Sequence, residues 1–510
     1  MNEAVRDVKV VANSGATSFF GRFVENIAAA GQGPRKALIG FVLSWVAFFL
    51  IVFVMPTPEG LSPAGKATLA VVVWACITWV SEAVPVGITG VQIPMLLVMT
   101  GAVKSFGAAM NGFITGAAFI CLAAFIMAAI IQAAGLDRRI ALGILHKARV
   151  KTVNGVIWSF FGVNMVLSLI VPGANPRGAL QLPLINGITR LLGDTPQERE
   201  AKKAIVIQSM VYGSMICGMC ILTAHLPNLV VVGLFQTQLK LNISFFDWFI
   251  LQWPYLGMFV LTQWWVQYYF KTRSVPIGGG GKLIAQRYRQ LPKMNQSDWL
   301  ILAAFSITAL LWMTENWHKI PAHIAAIFGI TLLYIPGLFG FRWKDVQDRT
   351  IWGTYIMLGG ALSMSAAMGS SGLGKWLAEL IHPIAQGHSW WVILLIMMGG
   401  THIIRLGMLS NVAAVSLFAP ILLELAPRLG LHPVAFTMLV ADTDTFAYIL
   451  PTQVTVAVIA YSSGTFSMAD YAKVGWVSVL IAIAYGICVV APWYAFLGMP
   501  VWDPTAPWPF

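Results

Sequence analysis

Apolar runs recur along almost the whole chain, with little polar sequence between them. The first, 37–55, holds 19 consecutive uncharged residues. Others lie at about 67–80, 86–103, 113–134, 153–172, 179–192, 204–237, 248–270, 298–314, 322–339, 351–371, 389–408, 412–426, 433–461 and 472–497. A helix needs roughly 20 apolar residues to cross the hydrocarbon core, so most of these runs predict transmembrane helices. The first is too long for a cleaved signal sequence and is read as a retained first helix after a polar segment 1–36. Pro and Gly break the pattern around 171–183, 224–228 and 451–455. Irregular backbone at membrane depth is tolerated where it is buried in protein or lines a cavity, so these breaks point to a site.

The longest polar interruption, 271–297, carries six basic residues and four consecutive glycines at 278–281, and reads as a flexible basic linker. Landmarks on either side of it repeat at a spacing of 237: Gly135 with Gly372, Gly173-Ala174-Asn175 with Ser410-Asn411-Val412, and Pro183 with Pro420. Each copy reads as a helix–turn–helix hairpin, near 153–193 and 389–427, entering the membrane partway. Internal repeats that meet near the midplane are characteristic of secondary transporters. The expected organisation is therefore a segment 1–36, a first helix and outer loop 37–65, a repeat 66–270, a linker 271–296, a second repeat 297–497 and a tail 498–510. The expected fold class is all-α and polytopic, with about eleven spans and two re-entrant hairpins in an inverted repeat.

Composition narrows the function. Of 510 residues, 58% are hydrophobic and 10% charged, where a soluble domain carries about 25% charged residues. A soluble enzyme, a nucleic-acid binder and a disordered scaffold are excluded. The net charge of +12 reflects basic loops: 23 of 32 Lys and Arg fall in 1–36, 138–151, 190–203, 271–293 and 342–349. Placing these loops in the cytoplasm satisfies the positive-inside rule and inverts the second repeat. The N-terminus is then cytoplasmic and the C-terminus outside, in a multi-pass protein of the inner (plasma) membrane. The five cysteines lie in apolar stretches, and Cys217 and Cys220 lack a second pair or a His cluster to complete a metal site. No HExxH, GxSxG or P-loop supports an enzyme or an ATP-driven pump.

WVSEAVPVGIT (79–89), GLDRRIAL from Gly135, SFFDWFILQWP (244–254), TYIMLGGALSMSAAMGSSGL and SNVAAVSLFAPI (410–421) resemble the divalent anion:sodium symporter family, in order and over about 65–497. The resemblance implies a carrier of dicarboxylates, citrate or sulfate, in a homodimer whose transport domain moves against a scaffold in the manner of an elevator. It also implies Na⁺ as coupling ion, with no organic cofactor, held at a Ser-Asn-Thr tip in each hairpin. Ser410 and Asn411 match the second tip, with Val412 for Thr; Gly173, Ala174 and Asn175 depart from the first. The Pro-Asn element of the first broken helix survives as Pro227-Asn228, while Thr455, Val456 and Ala457 replace its counterpart.

The candidate substrate ligands are accordingly Asn175, Arg177, Asn228, Ser410 and Asn411, and the candidates for ion coupling are Ser410, Asn411, Gly218, Asp442 and Asp444. An anion needs donors to replace its hydration: helix N-termini, amides, hydroxyls or a fixed cation. Arg177 sits two residues past the first tip. It either replaces a bound Na⁺, binds a carboxylate directly, or pairs with an acid for structure. Arg405 reads as a structural residue near the second hairpin. Asp442 and Asp444 either pair with one of these arginines or carry coupling protons; His225 either senses pH or is a satisfied interior residue. Glu82 reads as structural. The leading function is a secondary carrier of small di- or trivalent organic anions, with exchange favoured over Na⁺ symport because a buried Arg crosses poorly without an anion. The alternatives are a coupled carrier of inorganic oxyanions such as sulfate and a cation/proton antiporter.

Overall fold

The computed structural model describes residues 32–510 except 274, 338, 340, 341 and 409. The polar segment before residue 32 lies outside the described residues. Apart from one bridge between Thr152 and Pro276, the described residues form helices and their connections.

The first half contains α1 (Gln32–Phe49, continued by a π turn to Val54), α2 (Pro63–Ser81), α3 (Val86–Met99), α4 (Gly116–Ala133), α5 (Leu136–Ala148), α6 (Val153–Ile170), α7 (Ala174–Thr189), α8 (Pro196–Cys220), α9 (Leu226–Gln238), α10 (Phe245–Gln252) and α11 (Tyr255–Phe270). After α12 (Gly280–Arg289) come α13 (Gln296–Met313), α14 (Ala322–Leu333), α15 (Trp352–Ser370), α16 (Leu373–Ala385), α17 (Trp390–Arg405), α18 (Asn411–Arg428), α19 (Pro433–Thr445), α20 (Thr455–Tyr461) and α21 (Met468–Phe496). Among the described residues, eight helices are long and apolar enough to cross a membrane, or nine if the pair α15–α16, bent by 72°, is one span. Three shorter apolar helices, α3, α14 and α17, add to these.

Helix starts keep the spacing found in the sequence. Leu136 and Leu373, Val153 and Trp390, Ala174 and Asn411, and Pro196 and Pro433 are each 237 apart. Gly135 and Gly372, which precede the first pair, both hold the left-handed backbone that glycine adopts without strain, at φ 67 and 78. Past Pro196 the spacing shortens to 229 between Leu226 and Thr455. The reason is that α8 runs 25 residues through a π turn at Val206–Tyr212, while α19 stops after 13.

Glycines let helices touch along their backbones. A Cβ on Gly90 of α3 would lie 2.4 Å from the Ile356 carbonyl oxygen of α15, so this crossing needs glycine. The linker is more ordered than its four glycines suggest. Gly279, at φ 77, starts α12, whose Ile284 is buried and whose Tyr288 stacks on His146 at 5.0 Å. An apolar stripe in KLIAQRYR outweighs the glycine entropy and docks the linker on α5. Lys203 pairs with Asp470 at 3.1 Å, so the start of α21 lies on the same side as the basic loop before α8.

Candidate functional site

Four helices begin at one cavity of about 270 Å³. They are α7 and α18, which follow the two hairpin tips, and α9 and α20, which follow the breaks after α8 and α19. Each N-terminus leaves backbone N–H groups without helical partners and carries the positive end of the helix dipole. Four such ends around one small space favour an anion. Asn175, Ser410, Asn411, His225 and Thr455 supply the polar wall. Trp79, Glu82 and Thr354 close it from α2, its C-cap and α15, with the Glu82 carboxylate an exposed and unfavourable neighbour for an anion.

The first tip, Val171-Pro172-Gly173, joins α6 to α7. Gly173 sits at φ 81 and ψ 141, a conformation open to glycine and strained for serine, which accounts for the residue found here. Arg177 is fully buried but turns away from the cavity. Its Nη1 donates to the carbonyls of Val171 (2.9 Å) and Ala224 (2.8 Å), and its Nη2 donates to that of Ser214 (2.9 Å). It therefore ties the first tip to the first helix break, with no acidic partner among the described residues. Gly218 makes this possible, since a Cβ there would lie 2.6 Å from Arg177 Nη2.

The second tip is capped differently. The Ser410 hydroxyl accepts the N–H of Ala413 at 3.3 Å, and Asn411 is the first residue of α18. Asn411 Oδ1 accepts from Arg405 Nη2, which also donates to the Gln453 carbonyl at 3.1 Å. Arg405 thus ties the second tip to the second break, as Arg177 does the first. The Arg405–Asp444 ion pair, Nε to Oδ2 at 3.7 Å, compensates this arginine. Because an arginine only donates, it fixes the orientation of the Asn411 amide. Asn411 Nδ2 then donates to the Thr445 carbonyl and to His225 Nε2, both at 3.2 Å. His225 accepts on Nε2 and is the neutral tautomer protonated on Nδ1.

Of the candidates, Asn175, Ser410 and Asn411 meet at the cavity, while Arg177, Asn228, Gly218, Asp442 and Asp444 stand behind its wall. Asn228 Nδ2 donates to the carbonyls of Gly218, Met219 and Ile221 at 3.2–3.3 Å, ending α8. Asp442 Oδ2 accepts from Gln252 Nε2 at 2.7 Å. An amide pair inside the first hairpin escaped sequence reading: Gln181 Nε2 donates to Asn164 Oδ1 at 2.7 Å, and Ser214 donates to the same oxygen at 2.9 Å. Two amides 17 residues apart in apolar helices were its only signal. Among the described residues no group of three or more His, Cys, Asp or Glu could hold a metal ion. The carbonyls of Val171, Ala224 and Ser214 at the first tip and of Gln453 at the second already accept guanidinium N–H groups, which sets an arginine beside each tip.

Known proteins share this helical architecture. Relatives include a protein of Cupriavidus necator named only as a membrane protein, 28% identical over 491 residues, covering 92% of this chain and 95% of its own. The sodium-dependent dicarboxylate transporter SdcS of Staphylococcus saprophyticus is 26% identical, covering 92% of this chain and 93% of its own. Two solved transporters share the fold at low identity. The Alcanivorax borkumensis YdaH transporter is 14% identical at TM-score 0.52, covering 84% of this chain and 98% of its own. MtrF of Neisseria gonorrhoeae, from a class of antimetabolite efflux pumps, is 13% identical at TM-score 0.53, covering 93% and 97%. The family described as the sodium:sulfate symporter transmembrane region matches residues 36–500. With nearly every described helix inside that match, the chain belongs to this family and is a multi-pass membrane transporter, not an enzyme.

Proposed function

We propose that the protein carries small dicarboxylates or citrate across the inner (plasma) membrane by alternating access, exchanging one anion for another in preference to Na⁺ symport. The convergence of four helix N-termini on one small cavity carries this reading. A dicarboxylate there would take N–H groups from the two tips and the amides of Asn175 and Asn411, with the Ser410 hydroxyl beside them. The name of the Staphylococcus relative supports a dicarboxylate over an inorganic oxyanion. In this reading residues 66–270 and 297–497 are inverted repeats with the N-terminus in the cytoplasm, each hairpin moves with its broken helix as a transport unit, and a second copy completes a homodimer. The exchange preference rests on Arg177, whose guanidinium lies among carbonyls beside the first tip and keeps a positive charge without an added ion, while Asp444 compensates Arg405.

Counterflow tests this. Proteoliposomes preloaded with unlabelled succinate should take up labelled succinate faster than empty vesicles, with or without Na⁺. Equal uptake into empty vesicles that rises steeply with a Na⁺ gradient would overturn the exchange reading. Labelling that placed the linker 271–293 outside the cell would overturn the orientation.

A further inference from the structure

Asp442 is a buried carboxyl group that forms no ion pair among the described residues. It lies on the last turns of α19, 2% exposed, and its Oδ2 accepts from Gln252 Nε2. The Cys220 thiol and the Tyr255 and Tyr494 hydroxyls are its titratable neighbours from α8, α11 and the end of α21. The other helices packed on α19 are α9, α17 and α18. On α17, Arg405 pairs with Asp444, and His402 donates Nδ1–H to the Met398 carbonyl. On α18, Arg428 pairs with Glu379, and Glu424 lines a separate cavity near Asn111. On α9 no residue is charged. An ionised carboxylate held this way is costly unless compensated.

The surroundings suit both protonation states. Ionised, Asp442 keeps the Gln252 amide as a donor at 2.7 Å, and the buried hydroxyls of Tyr255 and Tyr494 are among its neighbours. Protonated, it has an acceptor, because Gln252 Oε1 is also buried without a partner. A primary amide pairs a carboxylic acid in both directions, donating to one oxygen and accepting the O–H of the other.

The buried charges give this proton a purpose. Arg177 and Arg405 are permanent cations and Asp444 neutralises one of them. With Asp442 ionised, these four groups carry no net charge in the empty protein; with Asp442 neutral, one positive charge remains. A bound dianion leaves two negative charges if Asp442 is ionised and one if it is neutral. Gaining a proton with the anion and losing it on release therefore keeps both crossing states at their smaller charge, in a medium where each central charge is expensive. We propose that Asp442 is the coupling-ion site of the carrier and that the ion is a proton, picked up with the substrate and released with it. This rests on the carrier reading above and deepens it: exchange runs without a driving ion, and a proton gradient allows the empty protein to return.

The test uses the full-length protein in proteoliposomes with the membrane potential clamped and labelled succinate as probe. Two assays run side by side, counterflow at equal pH and uptake into empty vesicles made alkaline inside. For the natural protein the pH gradient should raise empty-vesicle uptake at least about tenfold, the scale of a charge kept out of the barrier. Asp442→Asn, fixed neutral, should keep counterflow and lose that stimulation, and Asp442→Glu should restore it. Stimulation that survives in Asp442→Asn overturns the proposal, as does a natural protein that exchanges succinate but ignores the pH gradient. Loss of counterflow in an Asp442→Asn protein that stays monodisperse also overturns it, since the carboxyl would then be needed for exchange itself. Absence of counterflow in the natural protein with succinate, malate and citrate would instead sink the carrier reading, and this inference with it.

Discussion

The two hairpins share helix starts 237 residues apart and differ in almost everything that holds them. The first is braced by polar groups: the Asn164–Gln181 pair inside it, and Arg177 donating to three carbonyls around its tip. At the positions equivalent to Asn164 and Gln181 the second carries Thr401 and Phe418, which line an apolar groove of about 600 Å³ between α2, α16, α17 and α18. Its arginine comes from before the tip, not after it, and is compensated by Asp444. The lesson is that the spacing of helices in a repeat can outlast the chemistry that fixes them. What both halves keep is the tie itself, a guanidinium joining each hairpin tip to the neighbouring helix break at Ala224 or Gln453.

The largest effects should come from cutting these ties. Arg177→Met leaves three buried carbonyls short of a donor, and Arg405→Met leaves Asp444 buried and alone; each should cost about 3–5 kcal/mol of stability. The halves differ in rescue. Adding Asp444→Asn should recover part of the Arg405→Met loss in thermal unfolding, whereas Arg177→Met has no acid to remove. Rescue of both by Asp444→Asn would erase the distinction drawn between the tips.

Next in size are the cavity amides. Asn411 joins Arg405, His225 and Thr445 as well as facing the cavity, whereas Asn175 makes no such ties among the described residues. Asn411→Ala should lower succinate counterflow about 100-fold and Asn175→Ala about tenfold, the range expected for hydrogen bonds to a charged group. Equal losses in transport assays would show that binding, not positioning, dominates at both.

Smaller stability changes separate the hairpin interiors. Gln181→Leu should cost about 1–2 kcal/mol by removing its two bonds to Asn164, which keeps Ser214, Phe160 and Ser209 as partners, and Phe418→Leu about 1 kcal/mol because its groove is already loosely filled. The caps are of similar size. Gly173→Ala should cost about 1–2 kcal/mol through its backbone angle, and Ser410→Ala about 1 kcal/mol through a lost cap. Thermal unfolding in detergent orders all four, and a neutral Gly173→Ala would refute the strain assigned to the first tip.

Much of the fold was legible because bilayer spans and glycine caps leave local marks. Gly135 and Gly372, two glycines at matched spacing, each fall one residue before a 13-residue helix. The tips were legible for a similar reason, since Pro172 and the Ser410-Asn411 pair interrupt apolar runs. The direction of Arg177 was not. Its sequence position is the same whether its guanidinium faces a substrate or a ring of carbonyls, and only the approach of Ser214 and Ala224, 37 and 47 residues away, decides that. The linker misled because four glycines outweighed a short amphipathic stretch until α5 gave it a surface to dock on.

The sequence by itself determined that this is a helical membrane protein and set the 237-residue spacing of its helix starts. Those features depend on composition and on spacing along one chain, and a bilayer enforces them locally. The tertiary structure decided which polar residues meet: that four helix N-termini face one cavity, that among the described residues Arg405 has an acid and Arg177 has none, and that Asp442 accepts from the Gln252 amide. Charges separated by tens or hundreds of residues interact only once folding has removed the water between them, so their pairing is a property of the fold and not of any segment.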